Sequence, residues 1–201
     1  MKHNGHFLKA LACGLVACVL LSMGRFTAVC GEIRSEVVRL HVLANSDSEA
    51  DQALKLKVRD AVLAAADGLL DGVTDPAAAV ERVSAQLPHL KAAAAACIEE
   101  HGYSYPVNVE LTEMYFTTRT YDAGTLPAGR YQALRVTIGE GAGHNWWCVV
   151  YPPLCLSAAA EPTRLNDVLD EQACEVVEQP ERYEVRFKVV EWLEEWFGDG
   201  R

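Results

Sequence analysis

Apolar residues recur along this chain with two periods, and the changes of period divide it into elements. From Glu36 to Ala44, Val38, Leu40 and Val42 alternate with Arg39 and His41. That pattern predicts a strand with one face on the core and the other toward solvent. The polar run Asn45-Ser46-Asp47-Ser48-Glu49-Ala50-Asp51 follows. Ser46 with Glu49, and Ser48 with Asp51, have the spacing of a capping box, so a helix starts here. It should run to about Asp67, with Leu54, Val58, Ala61, Val62 and Ala65 on its apolar face. Gly68 to Thr74 is a turn. Asp75 and Pro76 then supply a cap and a first-turn proline for an alanine-rich helix over 77–100, which Pro88 should kink or split.

The second half returns to a period of two. Strands are predicted over Val107–Tyr121 and Tyr131–Ile138, separated by a turn from Gly124 to Gly129. The glycine-rich loop from Gly139 to Gly143 leads into a third strand, Trp146–Tyr151, which Pro152 and Pro153 end for want of an N–H. Trp146, Cys148 and Val150 point to one side; Trp147, Val149 and Tyr151 point to the other. Both sides are apolar, which predicts a central strand. The short connections predict an antiparallel meander. A short helix is expected over Pro162–Asp170 and a longer one over Glu181–Phe197. No repeat or low-complexity linker interrupts the chain. The expected fold class is α+β: a single domain over residues 31–201, with a mixed or antiparallel sheet and helices packed on one face.

Residues 1–30 have a different character. Lys2 and Lys9 precede the uncharged run Leu11–Met23, Arg25 follows, and no acid is present. This is the layout of an export signal. Cleavage could follow Gly24 or Cys30, and an uncleaved N-terminal membrane anchor is the other form the segment can take. The run is short against the roughly 20 apolar residues of a spanning helix.

Composition narrows the partners. Half of the 201 residues are hydrophobic and 23% are charged, which suits a folded core rather than a disordered chain. The formal net charge is -10. Beyond residue 30, 15 basic side chains face 28 acidic ones. Such a surface repels nucleic acid and anionic lipid. The membrane therefore enters only through the N-terminal segment.

Four cysteines lie beyond residue 30: Cys97, Cys148, Cys155 and Cys174. Export permits disulfides, and Cys148 can meet Cys155 only if the chain folds back at Pro152-Pro153. Four small buried hydrophobes are the alternative. A thiol enzyme would use Cys148 as nucleophile with His144 or His41 as base. The strand parity instead puts Cys148 in an apolar layer, where a thiol is inert. His144, Cys148 and Cys155 make an incomplete metal set. The Gly-x-Gly-x-Gly run is followed by a strand and by no Lys-Ser/Thr, so it is not a phosphate loop, and no cofactor is expected. Lys55, Lys57 and Arg59 form a basic cluster on an otherwise acidic chain. It is either a solvated helix face or a docking patch for an acidic partner.

Two segments carry a family likeness. Val38-Arg39-Leu40-His41-Val42-Leu43-Ala44-Asn45-Ser46-Asp47-Ser48, continuing through Asp51-Gln52-Ala53-Leu54-Lys55-Leu56-Lys57-Val58-Arg59-Asp60, and the segment Gly143 to Cys155 together resemble stage II sporulation protein R. His144 departs from the pattern, where Gln is expected, and the tail after Leu156 matches less distinctly. The resemblance implies a signalling protein of endospore formation that is not an enzyme. Such a protein is exported to the space between forespore and mother-cell membranes. Its implied partner is a membrane-embedded aspartic protease of the mother cell, which matures the precursor of the early mother-cell sigma factor. The expected contact regions are the turn Asn45, Ser46, Asp47 and Ser48; the pair Lys55 and Arg59; and the loop containing Gly143, Asn145, Trp146 and Trp147.

Overall fold

A computed structural model describes residues 2–121, 124–152 and 168–197. The elements are α1 (Lys2–Glu36), β1 (Val38–Leu43), α2 (Glu49–Ala65), α3 (Pro76–Glu100), β2 (Val107–Phe116), β3 (Arg119–Tyr121), β4 (Gly124–Leu126), β5 (Gly129–Ile138), β6 (Asn145–Tyr151), α4 (Glu171–Glu178) and α5 (Glu184–Phe197). A 3₁₀ turn over Pro180–Arg182 precedes α5. The chain is one mixed α+β domain.

Among the described residues, four strands form the main sheet in the order β2-β5-β1-β6. β1 is parallel to β5 and antiparallel to β6, and β2 is antiparallel to β5. This corrects the expected meander: β1, from the start of the domain, lies between β5 and β6. It also corrects the position of β6. Among the described strands β6 pairs only with β1, and β1 takes the central place. The physical reason lies in the two faces of β1, both of which are covered along its whole length.

Leu40 and Val42 face one side together with Val109, Leu134, Val136, Cys148 and Val150. There α2 contributes Leu54, Val58 and Val62, and α3 contributes Val83, Leu90, Ala94 and Ile98. Ser48 caps α2 by accepting from the Asp51 N–H at 3.1 Å, as its spacing predicts. Pro88 does not split α3, which runs unbroken from Pro76 to Glu100. Its ring sits on the exposed side, and the packing of Val83 and Leu90 outweighs the ~3 kcal/mol that an interior proline costs.

Arg39 and His41 face the other side, which was expected to be solvated. Both are buried, at 0% and 3% exposure. The cover comes from the end of α1 (Phe26, Val29, Cys30, Ile33), from Leu126 of β4, from α4 (Ala173, Val176, Val177) and from α5 (Phe187, Val190). Helices therefore pack on both faces of the sheet rather than one. The Arg39 guanidinium lies 4.1 Å from the Phe116 ring centre and 4.9 Å from that of Tyr131, and it donates to the Tyr121 hydroxyl. Aromatic faces and a phenol oxygen thus replace water around a buried cation. Pro162–Asp170 falls largely outside the described residues; Asp170 caps α4, a helix the periodicity did not reveal. In α5, Trp192, Leu193 and Trp196 point outward.

Candidate functional site

The three separate segments singled out in the sequence converge at one end of the sheet. β1 ends at Leu43 opposite Asn145, the first residue of β6, so the turn after β1 and the loop before β6 lie side by side. Backbone bonds join them: the Gly143 N–H donates to Ala44 O at 3.0 Å and the Ala142 N–H to Asn45 O at 3.2 Å. Gly143 is required by this approach, because a Cβ there would strike the Ser46 carbonyl. Gly139, at φ 55°, lies beneath the Asn45 side chain for the same reason.

Side chains then lock the junction. Asn45 Nδ2 donates to Asp51 Oδ2 at 2.9 Å, while Asn45 Oδ1 accepts from the Glu140 N–H at 3.0 Å. The Ser46 hydroxyl donates to Asp51 Oδ2 at 2.5 Å. These two donors hold the Asp51 carboxyl below its ordinary pKa. The spacing of Ser48 and Asp51 had suggested the cap, but not the role of Asp51 in drawing Asn45 and Ser46 onto the helix start.

Lys55 is not a surface cation. It is 4% exposed, and its ammonium donates to Gln52 Oε1 at 2.6 Å and to the His144 carbonyl at 2.9 Å. Burial lowers its pKa, and the nearby Asp47 opposes that shift. Of the expected contact pair Lys55 and Arg59, Lys55 is therefore buried rather than displayed. Lys55 turns inward because the His144 carbonyl of the loop before β6 lies within its reach, beside Gln52 on its own helix, and it pins the second segment to α2. Arg59 pairs with Asp60 at 2.7 Å and stands 4.5 Å over the Trp146 ring. A contact of that kind is worth about 0.5–1 kcal/mol near the surface.

The outer layer contains Asp47, Ser48, His144, Asn145 and Trp146, all exposed, with Arg59 half-buried among them. Asp47 Oδ1 accepts from the His144 backbone N–H at 2.6 Å and lies 2.5 Å from His144 Nδ1. Those bonds lower the Asp47 pKa. Trp147, on the opposite face of β6, stacks on His41 with ring centres 4.1 Å apart and meets Phe116 edge-on at 4.8 Å. Burial drives the His41 pKa down to about 4, opposed by the Asn145 side chain and assisted by the charge of Arg135. The expected contact residues therefore divide into two groups. Asn45, Ser46, Lys55, Gly143 and Trp147 build the junction, and Asp47, Ser48, Arg59, Asn145 and Trp146 display it.

The thiol arrangement considered above does not form. Cys148 is 3% exposed and disulfide-bonded, so it presents neither a nucleophile nor a metal ligand. His144 is held by Asp47 on the surface. Cys155 lies outside the described residues. Cys97 and Cys174 are free and buried, and burial raises both thiol pKa values.

Comparison with known proteins agrees with the likeness read from these two segments. No solved structure matches the chain. Stage II sporulation protein R of Bacillus subtilis (strain 168) is 32% identical over 186 residues, covering 82% of this chain and 83% of that protein. The model of the family described as stage II sporulation protein R matches residues 34–161, a span that includes β1, the β1–β6 junction and all of α2 and β6. On that match, and on the relative that shares most of its length, this chain belongs to the stage II sporulation protein R family.

Proposed function

We propose that this chain is an exported messenger of endospore formation that acts by touching a receptor and performs no covalent chemistry of its own. In this reading it leaves the forespore for the space between the two membranes. There it binds the outer portion of a membrane-embedded aspartic protease of the mother cell, which then matures the precursor of the early mother-cell sigma factor. A ligand can switch a receptor only by binding its active state more tightly, and couplings of about 1–3 kcal/mol are typical of such switches.

The observation that carries the reading is that the two segments bearing the family likeness meet on one rigid, outward-facing surface, made of Asp47, Ser48, Arg59, His144, Asn145 and Trp146. An exposed tryptophan beside an arginine on a locked backbone is the composition of a binding hot spot. The bonded, buried state of Cys148 weighs against the competing reading, a secreted cysteine-dependent hydrolase of cell wall or peptide.

The test is reconstitution of the chain with the candidate protease and its precursor substrate. Arg59→Glu combined with Trp146→Ala should reduce precursor processing at least tenfold while leaving the fold intact. Unchanged processing by that folded variant would remove this surface from the mechanism. Turnover of peptidoglycan or peptides by the pure protein would overturn action by contact.

A further inference from the structure

We infer that α1 is retained as a single element, its first part spanning the bilayer and its last three turns forming part of the folded domain, so that the domain remains tethered to the membrane it has crossed. The inference does not depend on the signalling reading, because it concerns only how the chain meets lipid.

The exposure along α1 changes abruptly. Phe7, Leu11, Leu15, Val16, Val19, Leu20 and Leu21 are all 55–75% exposed. At 100° per residue they point in every direction around the helix, so no polar face is left for water. A helix made to dock in a protein groove shows one apolar stripe. One that is apolar all round, with every backbone group bonded internally, has lipid as its natural solvent. Residues 10–24 span about 22 Å at 1.5 Å per residue, against roughly 30 Å for the hydrocarbon of a bilayer, so the flanking side chains must make up the difference. Lys9 and Arg25 bracket the run, and Lys9 can extend its ammonium to the headgroups. The helix continues without a break through residue 36, so the lipid-facing part runs directly into the docked part.

From Phe26 onward the pattern is that of a soluble helix. Phe26, Val29, Cys30 and Ile33, spaced three, one and three apart, fall on one stripe and are at most 9% exposed. Phe26 stacks on Tyr183 with ring centres 5.6 Å apart and meets Phe187 edge-on at 5.4 Å. Arg34 donates to the Ala128 carbonyl at 3.0 Å. Cutting after Cys30 would remove Phe26, Val29 and Cys30 from the core beneath β5. Cutting after Gly24 would require an extended segment where the helix is unbroken and Met23 packs on the same core. The folded domain thus occupies both candidate cleavage points. Lys2 and Lys9 precede the apolar run as the basic n-region of an exported chain, which places the N-terminus on the inner side and the domain outside. The sheet then begins only a few helical turns from the membrane, and any partner must reach the domain at the membrane surface.

The full chain, produced with its own N-terminus in an endospore-forming host, tests this by carbonate extraction and intact mass. Retention predicts that the domain stays in the carbonate-washed membrane fraction with residues 2–24 still present in its mass. A soluble product beginning at Arg25 or Gly31 would overturn it. Val29→Asp in the full chain examines the docked part separately. The variant should remain membrane-bound while its domain is digested at least tenfold faster by added protease. An unchanged digestion rate would show that α1 is not part of the core.

Discussion

Buried His41 makes the stability of this domain depend on pH in a window that can be assigned in advance. The ring is 3% exposed, sandwiched against Trp147 and edge-on to Phe116, and its pKa falls from 6.5 to about 4. A histidine whose folded pKa is depressed binds its proton more readily in the unfolded chain. Between these two values the unfolded state therefore carries more protons, and stability rises with pH. The contribution is complete above about pH 6.5 and is lost progressively as pH falls toward 4. Linkage for this single site gives about 2 kcal/mol lost between pH 7.5 and 5, or about 1–2 kcal/mol once partial screening is allowed for. Asp47 and Asp51 have depressed carboxyl pKa values, so their contributions are lost only at lower pH and do not enter this window. The assay is urea denaturation followed by tryptophan fluorescence at pH 7.5, 6.5, 5.5 and 5.0, comparing the natural chain with His41→Gln. The natural chain should lose about 1–2 kcal/mol across the series more than the variant does. Parallel pH profiles for the two proteins would refute the claim that His41 is held neutral by burial.

Two further predictions concern the junction. Gly143→Ala drives a methyl group into the Ser46 carbonyl, which is backbone and cannot swing aside, so the variant should lose about 1–3 kcal/mol in denaturant unfolding. Asp51→Asn removes the charged acceptor shared by Asn45 and Ser46 and should cost about 1–3 kcal/mol, measurable in the same assay at pH 7 and fading as the natural carboxylate is protonated below its depressed pKa.

Much of the local structure was legible in the residues because it depends on neighbours in the chain. Ser48 caps α2 through an N–H only three residues away, and Asp75 with Pro76 starts α3 in the same way. Alternation identified β1, β2, β5 and β6 and assigned Cys148 and Val150 to one face and Trp147 and Val149 to the other. Which strand lies beside which is not a local property. β1 joins β5 and β6, roughly 90 to 115 residues away, and nothing in its own pattern records that pairing. Periodicity also assumes that a polar side chain marks a wet face. Arg39 and His41 violate that assumption because aromatic rings from β2, β5 and β6 take the place of water around them. Lys55 misled for a related reason: whether an ammonium is solvated or buried depends on whether a carbonyl from a distant loop, here that of His144, lies within its reach. Residues 26–30 were grouped with the N-terminal segment because their composition continues the apolar run, and only the folded chain shows Phe26 and Ile33 packed against the sheet. Helix starts, strand parity and the family likeness were thus set by the order of residues alone. Strand neighbours, the burial of charge and the assembly of one surface from three segments required the folded chain, because each depends on contacts between residues far apart in sequence.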